Sequence, residues 1–283
     1  MVAPRITIYT PDSSLVSPGR LLREMLMDLA ASHALAWRLA VRDISAQYRQ
    51  TILGFLWAII MPLANTVVWI FLHHSGVVNI SDTSLPYPVY VFTGTMLWAI
   101  FMDALNAPLR IVTASKSMLA KINFPREALL VSGIYQTLFN ALIKIMLLLI
   151  IFPIMEINPG WGVLMVPIGI LSLIIVGTVI GLAFTPVGVL YTDVGKGIPL
   201  LMQFLMYLTP VVFAMPKEGL SAIVFKLNPL SPLILTTRDW LTGLAPDHLS
   251  SFIVVNMVAI LLLFIFLIVF RIAMPILIER MGS

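Results

Sequence analysis

The chain has 283 residues, of which 60% are hydrophobic and only 11% charged, with a mean hydropathy of +1.01. A soluble domain carries about 25% charged residues, so a fully water-facing surface is excluded and lipid is the expected solvent over much of the chain. The formal net charge of +4 does not point to nucleic acid, because the basic residues sit at the ends of apolar segments, the pattern of membrane orientation. Cysteine is absent, which excludes disulfides, thiol nucleophiles and cysteine metal ligands.

Residues 1–19 are polar and Pro-rich, unlike a cleavable signal peptide, so targeting is expected from the first membrane helix. Residues 20–36 place Leu22, Met25, Leu26 and Leu29 on one helical face and Arg23, Glu24 and Asp28 mainly on another. That pattern predicts an amphipathic helix at the membrane interface; packing on a soluble partner is the alternative. The chain divides into a segment over 1–50 carrying this helix and a membrane domain over 51–283.

A crossing helix needs roughly 20 mostly apolar residues. Six segments qualify or come close: Leu53–Leu72, Tyr87–Leu109, Ala128–Pro153, Trp161–Leu190, Ile198–Ala214 and Ser251–Phe270. The expected fold is therefore an all-α membrane protein with six transmembrane helices. Gly177, Gly181 and Thr185 in the fourth span are spaced for close helix packing. Between the last two spans, Pro216–Leu249 holds apolar pieces too short to cross, broken by Asn228-Pro229 and Ser231-Pro232. Such pieces suit short interfacial or re-entrant helices, which on the outer side of a transporter would make a lid; an amphipathic loop is the alternative.

Lys and Arg are strongly asymmetric. Arg5, Arg20, Arg23, Arg38, Arg42 and Arg49 precede the first span; Arg110, Lys116, Lys121 and Arg126 fall in the second-to-third loop; Lys196, Arg271 and Arg280 share that side. The other side has Lys217, Lys226 and Arg238. Both termini are thus expected in the cytoplasm.

No GxxxxGK[ST], HExxH or GxSxG motif occurs, and four histidines (His33, His73, His74, His248) offer little for a metal. No catalytic residue, metal or cofactor is assigned to the chain. Asp103 and Lys144 are charges inside spans, which are costly and mark candidate conduits. At 1.5 Å per residue they lie roughly 10 and 26 Å from the basic side, so a direct salt bridge is not expected. The stretch from Arg42 to Trp57 is basic and feeds the first span. Arg42 and Arg49, two helical turns apart, share a face that suits lipid phosphates as well as simple anchoring.

The pattern from Arg42-Asp43 through Gln47-Tyr48-Arg49-Gln50-Thr51, Leu53-Gly54, Trp57 and Pro62 resembles the entry of ABC-2 type permeases, in particular exporters of O-antigen and other lipid-linked polysaccharides. Lys121, Phe124, Pro125 and Arg126 resemble the K..FPR that ends the family's first cytoplasmic loop. Asp193-Val194, Gln203, Thr209-Pro210-Val211 and Asn228-Pro229 follow the family's order; Thr192 departs from it, where many relatives carry Arg.

The resemblance implies a homodimer working with two copies of a separate ABC ATPase that binds ATP and Mg, in the bacterial inner membrane. A helix over Thr113–Phe124, with Lys116, Lys121, Phe124, Pro125 and Arg126, would couple to that ATPase. The substrate would be a polymer on undecaprenyl pyrophosphate, held by Arg42 and Arg49. Trp57, Trp69, Trp98, Phe101, Asp103, Tyr135, Lys144 and Tyr207 are the candidate channel lining, and Asn228 and Pro229 the outer lid. The rivals are an ABC-2 exporter of teichoic acid, capsule, drug or lipid, an ion-coupled secondary transporter, and a membrane enzyme.

Overall fold

The computed structural model describes residues 18–49, 52–77, 83–122, 124–216 and 218–282. Arg5, Gln50, Thr51, Asn123 and Lys217, and the side chains of Arg20, Leu22, Leu26 and Tyr48, lie outside the described set. The described residues form helices and turns without strands. In lipid the backbone must satisfy its own hydrogen bonds, and helices do so within one segment.

Two short helices come first, α1 (Pro18–Ala31) and α2 (His33–Arg49). The expected single interface helix over 20–36 is broken at Ser32, whose hydroxyl bonds the Asp28 carbonyl. A 3-10 turn at Gly54–Leu56 leads into α3 (Trp57–His74), and α4 (Tyr87–Ala114) follows. The short α5 (Lys116–Lys121) precedes α6 (Glu127–Ile151), and a 3-10 turn at Gly160–Met165 opens α7 (Val166–Leu190). Then come α8 (Thr192–Tyr207), α9 (Gly219–Leu227), α10 (Leu230–Thr242) and α11 (Leu249–Gly282).

Five helices, α3, α4, α6, α7 with its 3-10 turn, and α11, are long and apolar enough to cross a membrane. The bent pair α9–α10, with 82° between its halves, raises the number to six if taken as one span. The span expected over Ile198–Ala214 is α8, whose 16 residues cover about 24 Å, short of the ~30 Å hydrocarbon core. It stops because Pro210 has no N–H to continue the helix and disfavours helical backbone at Thr209.

α4 is the buried spine, and α7 is its closest neighbour. A Cβ on Gly177 would lie 2.7 Å from the Phe101 carbonyl, and one on Gly181 would strike the Leu105 carbonyl. The small-residue stripe therefore works by letting two backbones touch. Two hydrophobic clusters stack along the bundle. One joins α4 and α7 to α10, around Leu97, Phe101, Leu173 and Leu233. The other, at the end rich in Arg and Lys, gathers Leu39, Val112, Leu129, Phe270 and Met274 from α2, α4, α6 and α11.

At that basic end Arg271 of α11 meets three carboxylates. It bonds the buried Glu127 of α6, pairs with Asp28 at 2.9 Å and approaches Glu24 at 3.9 Å. The polar face of α1 is thus turned onto a helix of the bundle, not simply to solvent. Removing one partner of a buried pair leaves an uncompensated charge. Arg271→Met is expected to lower the stability of the detergent-purified protein by about 3 kcal/mol, and adding Glu127→Gln should recover most of it. Unchanged thermal unfolding in the single variant would contradict this role for Arg271.

Candidate functional site

Between α3, α4 and α8 lies a cleft of about 440 Å³, lined by Asn65, Trp69, Trp98, Gln203 and Tyr207, with Val68, Leu72, Met102, Pro199 and Met206. Trp69 is set edge-on to Tyr207 at 6.1 Å between ring centroids and to Phe213 at 5.9 Å. Flat aromatic faces beside two carboxamides make a surface that is apolar yet able to donate and accept hydrogen bonds. Helical spacing places Asn65, Val68, Trp69 and Leu72 on one side of α3. Gln203, Met206 and Tyr207 do the same on α8.

Of the candidate lining residues, Trp69, Trp98 and Tyr207 line this cleft. Trp57 is exposed at the start of α3, whereas Phe101 is fully buried against Trp98. Tyr135 lies toward the other end, where its hydroxyl meets His33 Nδ1 at 2.6 Å and its ring meets Trp37 edge-on.

Asp103 and Lys144 correct the sequence expectation, for they form an ion pair with Nζ–Oδ2 at 2.7 Å. Two effects close the gap that a residue count suggested. Helix α4 continues to Ala114, which puts Asp103 about 16 Å from its end. Side chains on helices also lean toward the helix N-terminus. As consecutive spans, α4 and α6 run in opposite senses, so these two lean toward each other. The long lysine stem does the rest.

At the basic end, Arg42 Nε bonds Asp43 at 2.7 Å, and Asp43 accepts from Gln136 Nε2 at 3.1 Å. Gln136 in turn accepts weakly from Arg110 at 3.4 Å. Arg42 and Arg49 are exposed on α2. The helix expected over Thr113–Phe124 is divided, since residues 113 and 114 end α4 and only Lys116–Lys121 form α5. Lys121 is exposed, Lys116, Pro125 and Arg126 are half-buried, and Phe124 packs into the basic-end cluster. Burial lowers the Arg126 guanidinium from its ordinary value; Glu127 opposes this and Arg271 adds to it.

The motif pieces Thr209-Pro210-Val211 and Asn228-Pro229 meet in space. After α8 stops, the turn over 208–213 leaves carbonyls with no helical partner. Asn228 Nδ2 donates to the Leu208 carbonyl at 2.9 Å and to Thr209 Oγ1 at 2.8 Å. The Asn228 side-chain oxygen accepts from the Leu230 N–H at the start of α10. The Tyr90 hydroxyl is shared between the carbonyls of Pro210 and Phe213, and Arg238 Nη2 donates to that of Val211 at 2.9 Å. Tyr90 and Arg238 were not among the sequence candidates. Helical spacing from Ile234 and Leu241, both buried, was the available signal for Arg238.

Lys144→Met should leave Asp103 an unmatched acid and cost about 3 kcal/mol of stability. The double variant with Asp103→Asn should return to within about 1 kcal/mol of the parent, because a buried pair and a neutral replacement are often equivalent. Thermal unfolding of the three variants gives the coupling; simply additive losses would contradict direct pairing.

No protein-family model matches the chain. In sequence it is similar to the O-antigen export system permease protein RfbA of Myxococcus xanthus, 23% identical over 219 residues that take in 76% of this chain and 81% of that protein. RfbA of Klebsiella pneumoniae is 24% identical over 205 residues, 70% of this chain and 76% of its own length. The polysialic acid transport protein KpsM of Escherichia coli is 25% identical over 232 residues, 78% and 85% respectively. The resemblance to ABC-2 type permeases carried by the motifs is thus joined by similarity over most of the chain to O-antigen export permeases and a polysialic acid transport protein.

Proposed function

We propose that this chain is the membrane subunit of an ATP-driven exporter of lipid-linked polysaccharide such as O-antigen. The observation that carries the reading is similarity along most of the chain to O-antigen export permeases, joined to a cleft walled by Trp69, Trp98 and Tyr207. Sugars offer apolar C–H faces to aromatic rings and hydroxyls to carboxamides, and Asn65 and Gln203 supply the latter.

In this reading two copies of the chain act with two copies of a separate ATPase, which binds ATP and Mg, and the permease itself catalyses no reaction. The exporter sits in the bacterial inner membrane with both termini cytoplasmic, in keeping with the charge asymmetry. Arg42 and Arg49 on α2 take the pyrophosphate of an undecaprenyl carrier, and Asp43, paired with Arg42 Nε, orients that guanidinium. The basic end, with α5 and the Phe124-Pro125-Arg126 turn, receives the ATPase. Its closure would move α5 and the helices packed beside it as rigid bodies. The α9–α10 pair, bent at Asn228-Pro229, caps the outer mouth. Transport of a polysialic-acid-like polymer is the second reading, favoured by the similarity to the polysialic acid transport protein KpsM; the glycan retained on loss of the gene separates the two.

Deleting the gene should leave lipid-linked glycan inside the cell, and the parent chain should restore export. Arg42→Ala with Arg49→Ala should reduce export about tenfold, as expected for loss of a charge-assisted bond, with membrane insertion unchanged. Parent-level export by that double variant would remove the pyrophosphate assignment. Normal surface glycan in the deletion strain would remove the function.

A further inference from the structure

Arg238 of α10 heads the fully buried side chains by size, at 1% exposed. A guanidinium out of water normally has a carboxylate partner, but none lies within 4.0 Å of this one among the described residues. Its carbon sits 3.7 Å from the centroid of the Tyr90 ring, a cation–π contact that is stronger when desolvated. Nε donates to Thr93 Oγ1 at 3.3 Å, Nη2 donates to the Val211 carbonyl, and Nη1 is buried without a partner.

Helix α4 is cut to receive both the arginine and the turn. Tyr90, Thr93 and Gly94 lie on one face, and a Cβ on Gly94 would collide with the Val211 carbonyl and with Arg238 Nη2. Tyr90 supports the guanidinium with its ring and bonds the same turn through its hydroxyl. Phe213 on that turn and Tyr207 just before it both pack on Trp69 at the cleft. A position that served packing alone would favour an apolar side chain, since burying a cation is costly.

We propose that Arg238 is a positioning residue that clamps the 208–213 turn against α4 and so holds Tyr207 and Phe213 against Trp69 at the cleft. A carboxylate partner would hold the cation more firmly, because charge-assisted hydrogen bonds are stronger than neutral ones. One neutral carbonyl, one hydroxyl and a ring face hold it here. The clamp deepens the export reading, because it matters to transport only if the cleft belongs to the path.

Because the chain has no cysteine, single-cysteine reporters can be placed without background. Val212 is fully buried in the turn and Leu173 is fully buried in α7. In membrane vesicles, Val212→Cys should react with a maleimide at least tenfold faster when Arg238→Met is added. Arg238→Lys, which keeps the charge but gathers its donors on one nitrogen, should fall between. Leu173→Cys should stay equally slow in all three backgrounds, which separates release of the turn from general loosening.

An unchanged rate at Val212, or an equal rise at Leu173, would overturn the proposal. If Arg238→Met does not accumulate, Tyr90→Phe removes the two hydroxyl bonds while keeping the ring, and should speed Val212 labelling several-fold. No change there would overturn it as well. None of these readouts needs an ATPase or a glycan. Clamp results as expected with no export defect on deleting the gene would leave the clamp standing and remove the export reading.

Discussion

A backbone carbonyl in lipid must find its donor within the protein, and the end of α8 is where that constraint bears hardest. Helix α8 stops at Tyr207 and Pro210 forbids its continuation. The carbonyls of Leu208, Pro210, Val211 and Phe213 are then answered by Asn228, Tyr90 and Arg238, and that of Thr209 by the Val211 N–H. Meeting that demand places the bend between α9 and α10, turns α10 inward, and requires glycine at 94 of α4. The aromatic wall of the cleft follows, because Tyr207 and Phe213 flank the same turn.

The few charges within the bundle obey a related rule. Each is costly in lipid unless matched, and each is matched differently. Asp103 and Lys144 neutralise one another between α4 and α6. Arg271 gathers acids from α1 and α6 and so binds the first helix to the last. Arg238 is met by a ring, a hydroxyl and a carbonyl, the weakest of the three solutions. The ion-paired charges sit where helices are joined, and Arg238 sits against the turn that carries Phe213 onto Trp69 beside the cleft.

Much of this architecture was legible in the sequence. Hydropathy marks the long helices, the spacing of Gly177 and Gly181 marks the contact with α4, and Asn228-Pro229 marks the bend. Other features depend on three dimensions that spacing does not carry. Counting residues from the basic side separated Asp103 from Lys144, because a count ignores the opposed lean of side chains on antiparallel helices. Charge counting put Arg238 in an outer loop, although its helical register faces the core. An apolar window ran through Thr209-Pro210 and suggested a full span where α8 ends early. Among the aromatics, composition alone did not separate the cleft-lining Trp69, Trp98 and Tyr207 from the buried Phe101 or from Tyr135 beside α2.

In the proposed function this chain provides a path for a lipid-linked polymer and takes its energy from another subunit. Purified chain should be placed in vesicles with and without a candidate partner ATPase, and movement of lipid-linked glycan to the far leaflet followed by access of a glycan-cleaving enzyme. Movement should require both the ATPase and hydrolysable ATP, with no response to an ion gradient. Gradient-driven movement by the chain alone would contradict it.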